Sequence, residues 1–321
     1  MTEAHITIGV VPRERFSAAP EALRRLLQNT PQPFELLIVD AGTPEPWRSD
    51  IEQILAYRSD ATVVPAPADT GPLLPNQARN LVLEHATGDW ICLLENDVLV
   101  GEDWLNPLLT NAERHGAGAA VPLILERFDR FEKVHFDDRL HRIIEVRTSS
   151  GIKRRIEARP DCKEDDRGGD TRIVDFIETH CMLFTTDALD QVGGFDGEIT
   201  AQEEIDISFG LHAAGITAVF VPQSTVTFLP PPPVYPSERA YYHAKWNPET
   251  YQNDRRRMQE RWGIVGYPSA TGVVESRRAM AEGSIQDQIQ AELDQRSFLD
   301  ATREDLAPLL DRGRLILVHD D

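Results

Sequence analysis

The chain is short of basic residues: 33 Lys and Arg stand against 53 Asp and Glu, a formal net charge of −20. That balance excludes a nucleic-acid backbone or an anionic membrane surface as partner except through a local basic patch. Residues 153–159 and Arg255-Arg256-Arg257 are the short runs of that kind. Cysteine is scarce too. Cys92, Cys162 and Cys181 are too few and too scattered for a disulfide framework or a thiolate metal site, and Cys92 is expected as a small core residue. No apolar run approaches the roughly 18 to 20 residues that cross a bilayer, and Met1-Thr2-Glu3-Ala4-His5 lacks the basic and apolar regions of a secretory signal. The sequence therefore predicts a cytoplasmic protein. Also missing is a Gly-x-Gly-x-x-Gly after the first apolar run, where Gly9-Val10-Val11-Pro12-Arg13 stands, so a dinucleotide fold of the dehydrogenase kind is disfavoured.

What is present is a regular alternation. A chain of 321 residues with 41% hydrophobic content has material for one large α/β domain or two smaller ones. Strand-like runs at 5–11, 34–39, 61–64, 89–98 and 117–125 alternate with helical stripes at 19–28, around Ile51-Ile54-Leu55, at 75–86 and at 104–115. Pro75 opens one of these helices and Gly88 follows it. Such alternation predicts an α/β fold with a doubly wound, mostly parallel, Rossmann-like sheet. From Glu126 a polar segment runs to about Thr171, with a hairpin over 142–155 turning at Ser149-Ser150-Gly151 and a charged loop at 161–170. A helix over 203–214 closed by Gly215 leads into a strand at 216–221, and Pro230 to Pro233 read as a stiff extended linker. The remainder carries helical stripes, which predicts a helical C-terminal extension packed on the main domain or on a second copy of the chain.

The run Asp89-Trp90-Ile91-Cys92-Leu93-Leu94-Glu95-Asn96-Asp97-Val98 ends in two carboxylates one residue apart. A continuous apolar run is a strand buried on both faces, and ligands in open α/β sheets bind beyond the carboxyl ends of strands. Glu95 and Asp97 can share a hard cation there and, through it, a phosphate. Two solvated acids at a strand end fit the same pattern, and this stretch alone does not separate the two.

With the other acid cluster placed, the chain resembles the GT-A fold glycosyltransferases of inverting family 2 over about residues 5–228. Three stretches carry the likeness. Residues 34–43 resemble the second strand with its nucleotide-binding Asp, here Asp40. Asn76-Gln77-Ala78-Arg79-Asn80 through Glu95-Asn96-Asp97 resembles the helix and strand that end in the Asp-x-Asp metal motif. Val192-Gly193-Gly194-Phe195-Asp196 followed by Glu203-Glu204-Ile205-Asp206 resembles the Gly-Gly-Phe turn and Glu-Asp pair.

The resemblance implies roles for these residues. Displacing a nucleoside diphosphate builds charge on the leaving phosphate, which a divalent cation held by carboxylates neutralises. Asp97, with Glu95 direct or through water, is the expected metal site for Mn²⁺ or Mg²⁺. Arg79, Asn76, Asn96 and Asp40 are expected on the nucleotide-sugar donor, and Glu204, with Glu203 as fallback, is the expected base. The same acids at a helix start also satisfy its dipole. Glu replaces Asp both at the first metal position and at the base. Phe228 stands where many relatives carry a metal-binding His, so His243 or His180 is expected to supply a ligand, His243 being the assignment, unless water fills the place.

The implied protein is a metal-dependent inverting glycosyltransferase, with a UDP-sugar favoured as donor and a saccharide, small-molecule, lipid-linked or protein hydroxyl as acceptor. Residues 1–229 form the transferase domain, with the donor and metal half at about 1–125 and the acceptor and base half at about 126–229. Residues 230–321 form the proline linker and extension, through which a homodimer can form. Two other readings stay open: a sugar-phosphate nucleotidyltransferase, weakened by the missing lysine-containing glycine-rich loop, and a non-catalytic nucleotide-sugar-binding or scaffold protein on the same fold.

Overall fold

The computed structural model describes residues 5–68, 71–129, 131–136, 141–149, 151–158, 169–264, 271–301 and 315–317. The first half alternates as the apolar periodicity dictates: β1 (Ile6–Val11), α1 (Ala19–Asn29), β2 (Glu35–Asp40), α2 (Trp47–Leu55), β3 (Ala61–Pro65), α3 (Pro75–His85) and β4 (Trp90–Glu95). Then come β5 (Val98–Val100), α4 (Leu105–His115), β6 (Ala119–Phe128), β7 (Phe131–Phe136), and the hairpin of β8 (His141–Thr148) and β9 (Gly151–Ala158). The second half holds β10 (Arg172–Val174), β11 (Cys181–Thr185), α5 (Thr186–Val192), α6 (Glu203–Ala214) and β12 (Ala218–Phe228). The extension comprises α7 (Arg239–Lys245), α8 (Pro248–Trp262), α9 (Thr271–Glu282), α10 (Ile285–Ala301) and β13 (Leu315–Leu317).

The main sheet runs β10-β12-β6-β11-β4-β1-β2-β3. Strands β4, β1, β2 and β3 are mutually parallel, as are β6 and β12. The sheet is a mixed, mostly parallel α/β sheet of the GT-A type. Alternation along β4 sends Trp90, Cys92 and Leu94 into a core with Leu26 of α1 and Leu108 of α4, and Ile91 and Leu93 into a second core with Val82 of α3 and Leu211 of α6. Gly9 is required by this packing, because a Cβ there would stand 2.3 Å from Val82 Cγ1. Helix α3 thus lies directly on β1.

Two features interrupt the simple alternation. Strand β11 slots between β4 and β6 antiparallel to both, Leu183 lying opposite Cys92 on one side and Ala120 on the other. Strand β5, too short to show as a periodic run, pairs Val98 with Phe228 and Val100 with Val226 at the end of β12. The backbone between β4 and β5 is a tight turn that holds Asn96 and Asp97.

The expected hairpin is present, with Thr148 opposite Gly151 across its turn, whereas residues 161–168 of the charged loop lie outside the described residues. The proline run is not an extended spacer. Pro230, Pro231 and Pro232 are buried, so the segment folds against the domain; the Pro231–Pro232 and Pro232–Pro233 peptide bonds are cis. Beyond it, Met258 and Trp262 of α8 pack with Phe176, Ile199 and Phe209, the Trp262 ring lying 5.9 Å from that of Phe209 at an interplanar angle of 21°. Among the described residues, no helix is long and apolar enough to cross a membrane.

Candidate active site

The parallel register that sets Glu95 opposite Val11 brings the turn after β1 against the turn after β4. Glu95 is fully buried and saturated: it accepts from Arg79 Nη2 at 2.5 Å, from Arg13 Nη1 at 2.8 Å and from His180 Nδ1 at 2.6 Å. Burial pushes its carboxyl up, but Arg13, His180 and Arg79 outweigh burial and hold it well below the usual carboxylate range. Asp97, two residues on and equally buried, has the opposite surroundings. Neither of its carboxylate oxygens has a hydrogen-bond partner among the described residues. Burial first and Glu95 second push its carboxyl well above the usual range. A buried carboxyl left unpaired costs about 1–3 kcal/mol or more, so a native structure that keeps one calls for an explanation. Two orphaned carboxylate oxygens are the donor chemistry that a hard divalent cation takes, and Asp97 fits such an ion.

The imidazole near this turn comes from the residue just before β11. His180 is fully buried and lies within 4.8 Å, ligand atom to ligand atom, of Glu95 and Asp97. Its ring stacks on Phe228, with centroids 3.9 Å apart and planes 27° apart. Burial and the neighbouring Arg13 bring its pKa down to about 4, so the ring is neutral at physiological pH. His243 stands elsewhere. On α7 its Nε2 meets Glu282 at 3.0 Å, and it belongs to neither of the His-and-acid groups that bring ligand atoms together among the described residues. The physical reason is that α7 packs its aromatic face, Tyr241 and Tyr242, inward and leaves His243 partly exposed toward α9.

Helix α3 delivers the next layer. Arg79 is fully buried rather than a surface arginine, held by Asn76 Oδ1 at 2.8 Å as well as by Glu95. Asn76 in turn donates to the carbonyl of Asp196 at 3.0 Å. Asn80 donates to the Phe195 carbonyl at 2.8 Å and accepts from the Phe195 N–H at 3.0 Å. These bonds clamp the Gly-Gly-Phe turn onto α3. Gly194, at φ +72°, would set a Cβ 3.1 Å from Asn80 Oδ1.

At the end of β2, Asp40 Oδ1 accepts from the N–H groups of Gly42 at 3.0 Å and Thr43 at 2.8 Å, while Oδ2 faces Arg48 at 3.4 Å. Asn96 accepts from the Arg13 N–H at 3.1 Å. A small, mainly apolar crevice lies between the ends of β1 and β2, lined by Val10, Val11, Phe16, Leu23, Ile38 and Ile51, with Thr43 and Asn96 also reaching it.

The first turn of α6 holds three acids, and the extension answers two of them. Glu203 is buried against Lys245 Nζ of α7 at 3.0 Å, with Arg79 Nη1 at 3.9 Å. Asp206 accepts from Trp262 Nε1 at 2.6 Å and from Arg261 Nη1 at 2.9 Å. Glu204 is the half-buried member left over. Burial, then Glu178 and Glu203, push its carboxyl up to about 8. The structure thus brings Arg79, Asn76, Glu95, Asn96 and Glu203 into one connected network, with Asp97 buried beside it, Asp40 at the neighbouring strand end and His243 outside it.

Arg13, Lys245, His135 and Glu178 were not singled out in the sequence. Arg13 carried one usable signal, since the residues just after β1 lie at the same sheet end as those after β4. Lys245 lies in the aromatic and basic segment 241–246, which marks the region but not its partner.

The comparisons with known proteins agree with this architecture. The family model described as glycosyl transferase family 2 matches residues 8–193, more than half of the chain. The pre-mycofactocin glycosyltransferase of Mycobacterium tuberculosis (strain CDC 1551 / Oshkosh) is 24% identical over 223 residues, covering 70% of this chain and 43% of the relative. The succinoglycan biosynthesis protein ExoM of Rhizobium meliloti (strain 1021) is 32% identical over 121 residues, 36% of this chain and 38% of the relative. The chain thus spans less than half the length of the curated relatives it matches. Among solved structures, GalNAc-T7 with UDP, GalNAc and Mn²⁺ superposes with a TM-score of 0.56 at 15% identity over 87% of this chain and 54% of that one. S. aureus TarS 1-349 in complex with UDP-GlcNAc superposes with a TM-score of 0.52 at 12% identity, covering 86% and 70%. Likeness at such identity speaks for the fold, and the family match extends from β1 through the metal-motif turn to the first glycine of the Gly-Gly-Phe turn. The chain belongs to glycosyl transferase family 2.

Proposed function

We propose that the protein is a metal-dependent, inverting glycosyltransferase that moves a sugar from a nucleotide-sugar donor, a UDP-sugar first, to a hydroxyl acceptor by direct displacement. The observation that carries this reading is Asp97: two buried carboxylate oxygens without a partner, at the carboxyl end of a central strand, beside a Glu95 whose charge is already matched. Asp97 would hold Mn²⁺ or Mg²⁺ directly and Glu95 through water. The ion supplies charge neutralisation at the leaving diphosphate.

The other residues act on the substrates. The nucleotide would lie across the ends of β1 and β2, where Asp40 and Asn96 stand, while Asn76 and Arg79 hold the floor beneath the diphosphate in place. Glu204 takes the acceptor's proton during attack. Glu203, committed to Lys245, serves to position α6. In this reading residues 1–125 serve the donor, 126–229 the acceptor and base, and 230–321 brace α6, and a cytoplasmic location goes with it. The neighbours named with UDP, UDP-GlcNAc and Mn²⁺ support a UDP-sugar and a divalent ion by analogy of fold.

The test is incubation with a panel of nucleotide sugars with and without Mn²⁺. Metal-dependent release of nucleoside diphosphate, lost in Asp97→Ala, is the expected result. Binding of nucleotide sugar that is indifferent to metal, with no turnover of any donor, would instead identify a non-catalytic nucleotide-sugar-binding protein.

A further inference from the structure

A second set of metal-ligating atoms lies on the far side of the His180 ring from Glu95. His135 of β7, Glu178 and His180 bring ligand atoms within 4.8 Å of one another. The two imidazoles face each other through Nε2, 3.1 Å apart, and Glu178 Oε1 stands 4.0 Å from His180 Nε2. The outer nitrogens explain why this contact is unusual. His180 Nδ1 meets Glu95 Oε2 at 2.6 Å and His135 Nδ1 meets Glu126 Oε2 at 3.0 Å. A carboxylate only accepts, so each Nδ1 carries a proton, and the two Nε2 atoms are left facing each other. Arg13 Nη1, 3.2 Å from Nδ1 and 3.5 Å from Nε2 of His180, donates to the same Glu95 oxygen and does not change that assignment.

Two ring nitrogens 3.1 Å apart need a proton or a cation between them. Metal-binding histidines characteristically donate their other N–H to a carboxylate, which fixes the tautomer and orients the ring. Both rings here have that support. An ion about 2.0–2.1 Å from each nitrogen in a tetrahedral site sets the nitrogens about 3.4 Å apart, close to the 3.1 Å observed. Two imidazoles and one carboxylate suit a borderline cation of the Zn²⁺ class, whereas the oxygen donors at Asp97 suit Mg²⁺ or Mn²⁺.

We infer that His135, Glu178 and His180 form a second cation site of the Zn²⁺ class, distinct from the Asp97 site, that ties β7 to the segment entering β11. It goes beyond the transfer reading and does not depend on it. Its structural role is specific: β7 hangs on the main sheet through β6, and the ion clips it to the strand that also holds His180 against Glu95.

Metal content and Co²⁺ absorption test this. The purified protein, loaded with Zn²⁺ and passed through a desalting column in excess Mg²⁺, is expected to retain one Zn²⁺ per chain. Co²⁺ loading is expected to give the intense visible bands of a four-coordinate site. Asp97→Ala keeps both signals, and His135→Ala and Glu178→Gln weaken Zn²⁺ binding at least 10-fold. Glu178→Gln is nearly isosteric and decides the matter if His135→Ala does not fold. No retained Zn²⁺ in the wild type, or Zn²⁺ lost in Asp97→Ala but kept in Glu178→Gln, overturns the second site and leaves an ordinary imidazole–imidazolium hydrogen bond. Mn²⁺-dependent donor hydrolysis, measured in parallel on the wild type, reports on the transfer reading alone, so the two can fail separately.

Discussion

Glu95 and Asp97 lie two residues apart at the end of one strand, both fully buried, yet the Glu95 carboxylate is held by Arg13, Arg79 and His180 while neither carboxylate oxygen of Asp97 has a hydrogen-bond partner among the described residues. Their carboxyls are displaced in opposite directions for that reason. In the proposed reading the pair splits the work of a metal motif, Glu95 organising the floor and Asp97 facing the ion.

Asp97 is therefore expected to couple stability to divalent cation. Mn²⁺ at about 100 times its dissociation constant adds about 2.7 kcal/mol to unfolding free energy. Asp97→Asn removes that increment and leaves metal-free stability equal to or above the wild type, because a buried carboxyl without partners is replaced by a group with no charge to desolvate. Urea unfolding with and without Mn²⁺ measures both.

The ion pair of Lys245 with Glu203 is buried on both sides. Removing one partner strands the other's charge, so Lys245→Met should cost about 3–5 kcal/mol, while Lys245→Met with Glu203→Gln should recover most of the loss. Denaturant midpoints for the two singles and the double form the cycle. A double variant as unstable as the sum of its parts would show that packing, not charge, holds α7 to α6.

Glu204 gives the site a pH signature. If it is the base it works ionised, so kcat/KM should rise with pH and level off above about 8, the value to which burial, Glu178 and Glu203 push its carboxyl. The stability effect has the other sign. The unfolded carboxyl titrates near 4.5 and the folded one near 8, so the folded state binds the extra proton between them. The contribution is fully present below 4.5 and is lost as pH rises through 8. Glu204→Gln should flatten that slope and lower transfer about 10²-fold or more. An unchanged rate profile in the variant would move the base elsewhere.

Gly9 tests the seat of α3. Gly9→Ala brings a methyl against Val82, and overpacking of this kind costs about 1–3 kcal/mol. Val82→Ala in the same chain should relieve part of it. Because α3 carries Asn76 and Arg79, the single variant should also weaken donor binding, seen as a higher KM.

The alternating frame through residue 125 was legible because each strand buried on both faces shows as an unbroken apolar run and each helix as a stripe. The acids at 95, 97, 203 and 204 stand out for the same reason, being polar residues at the ends of such runs. What could not be read is what chain crossing decides. Strand β5 is three residues long, and β11 enters antiparallel between two strands far from it in sequence. His180 meets Glu95 across 85 positions and His135 across 45. A single histidine in a sequence carries no sign of its partners, which is why His243, set among aromatics, was as plausible on the page as His180. Arg79 likewise looks like any helical arginine until β4 closes over it.

The short strand β5 has a consequence for how such a protein can vary. Because Val98 to Val100 are zipped to the end of β12 immediately after Asp97, the turn between them is pinned from both directions and tolerates no added length. Added length is expected instead between β6 and β11, where the chain meets the sheet only through β7 on β6 and the short β10 on β12.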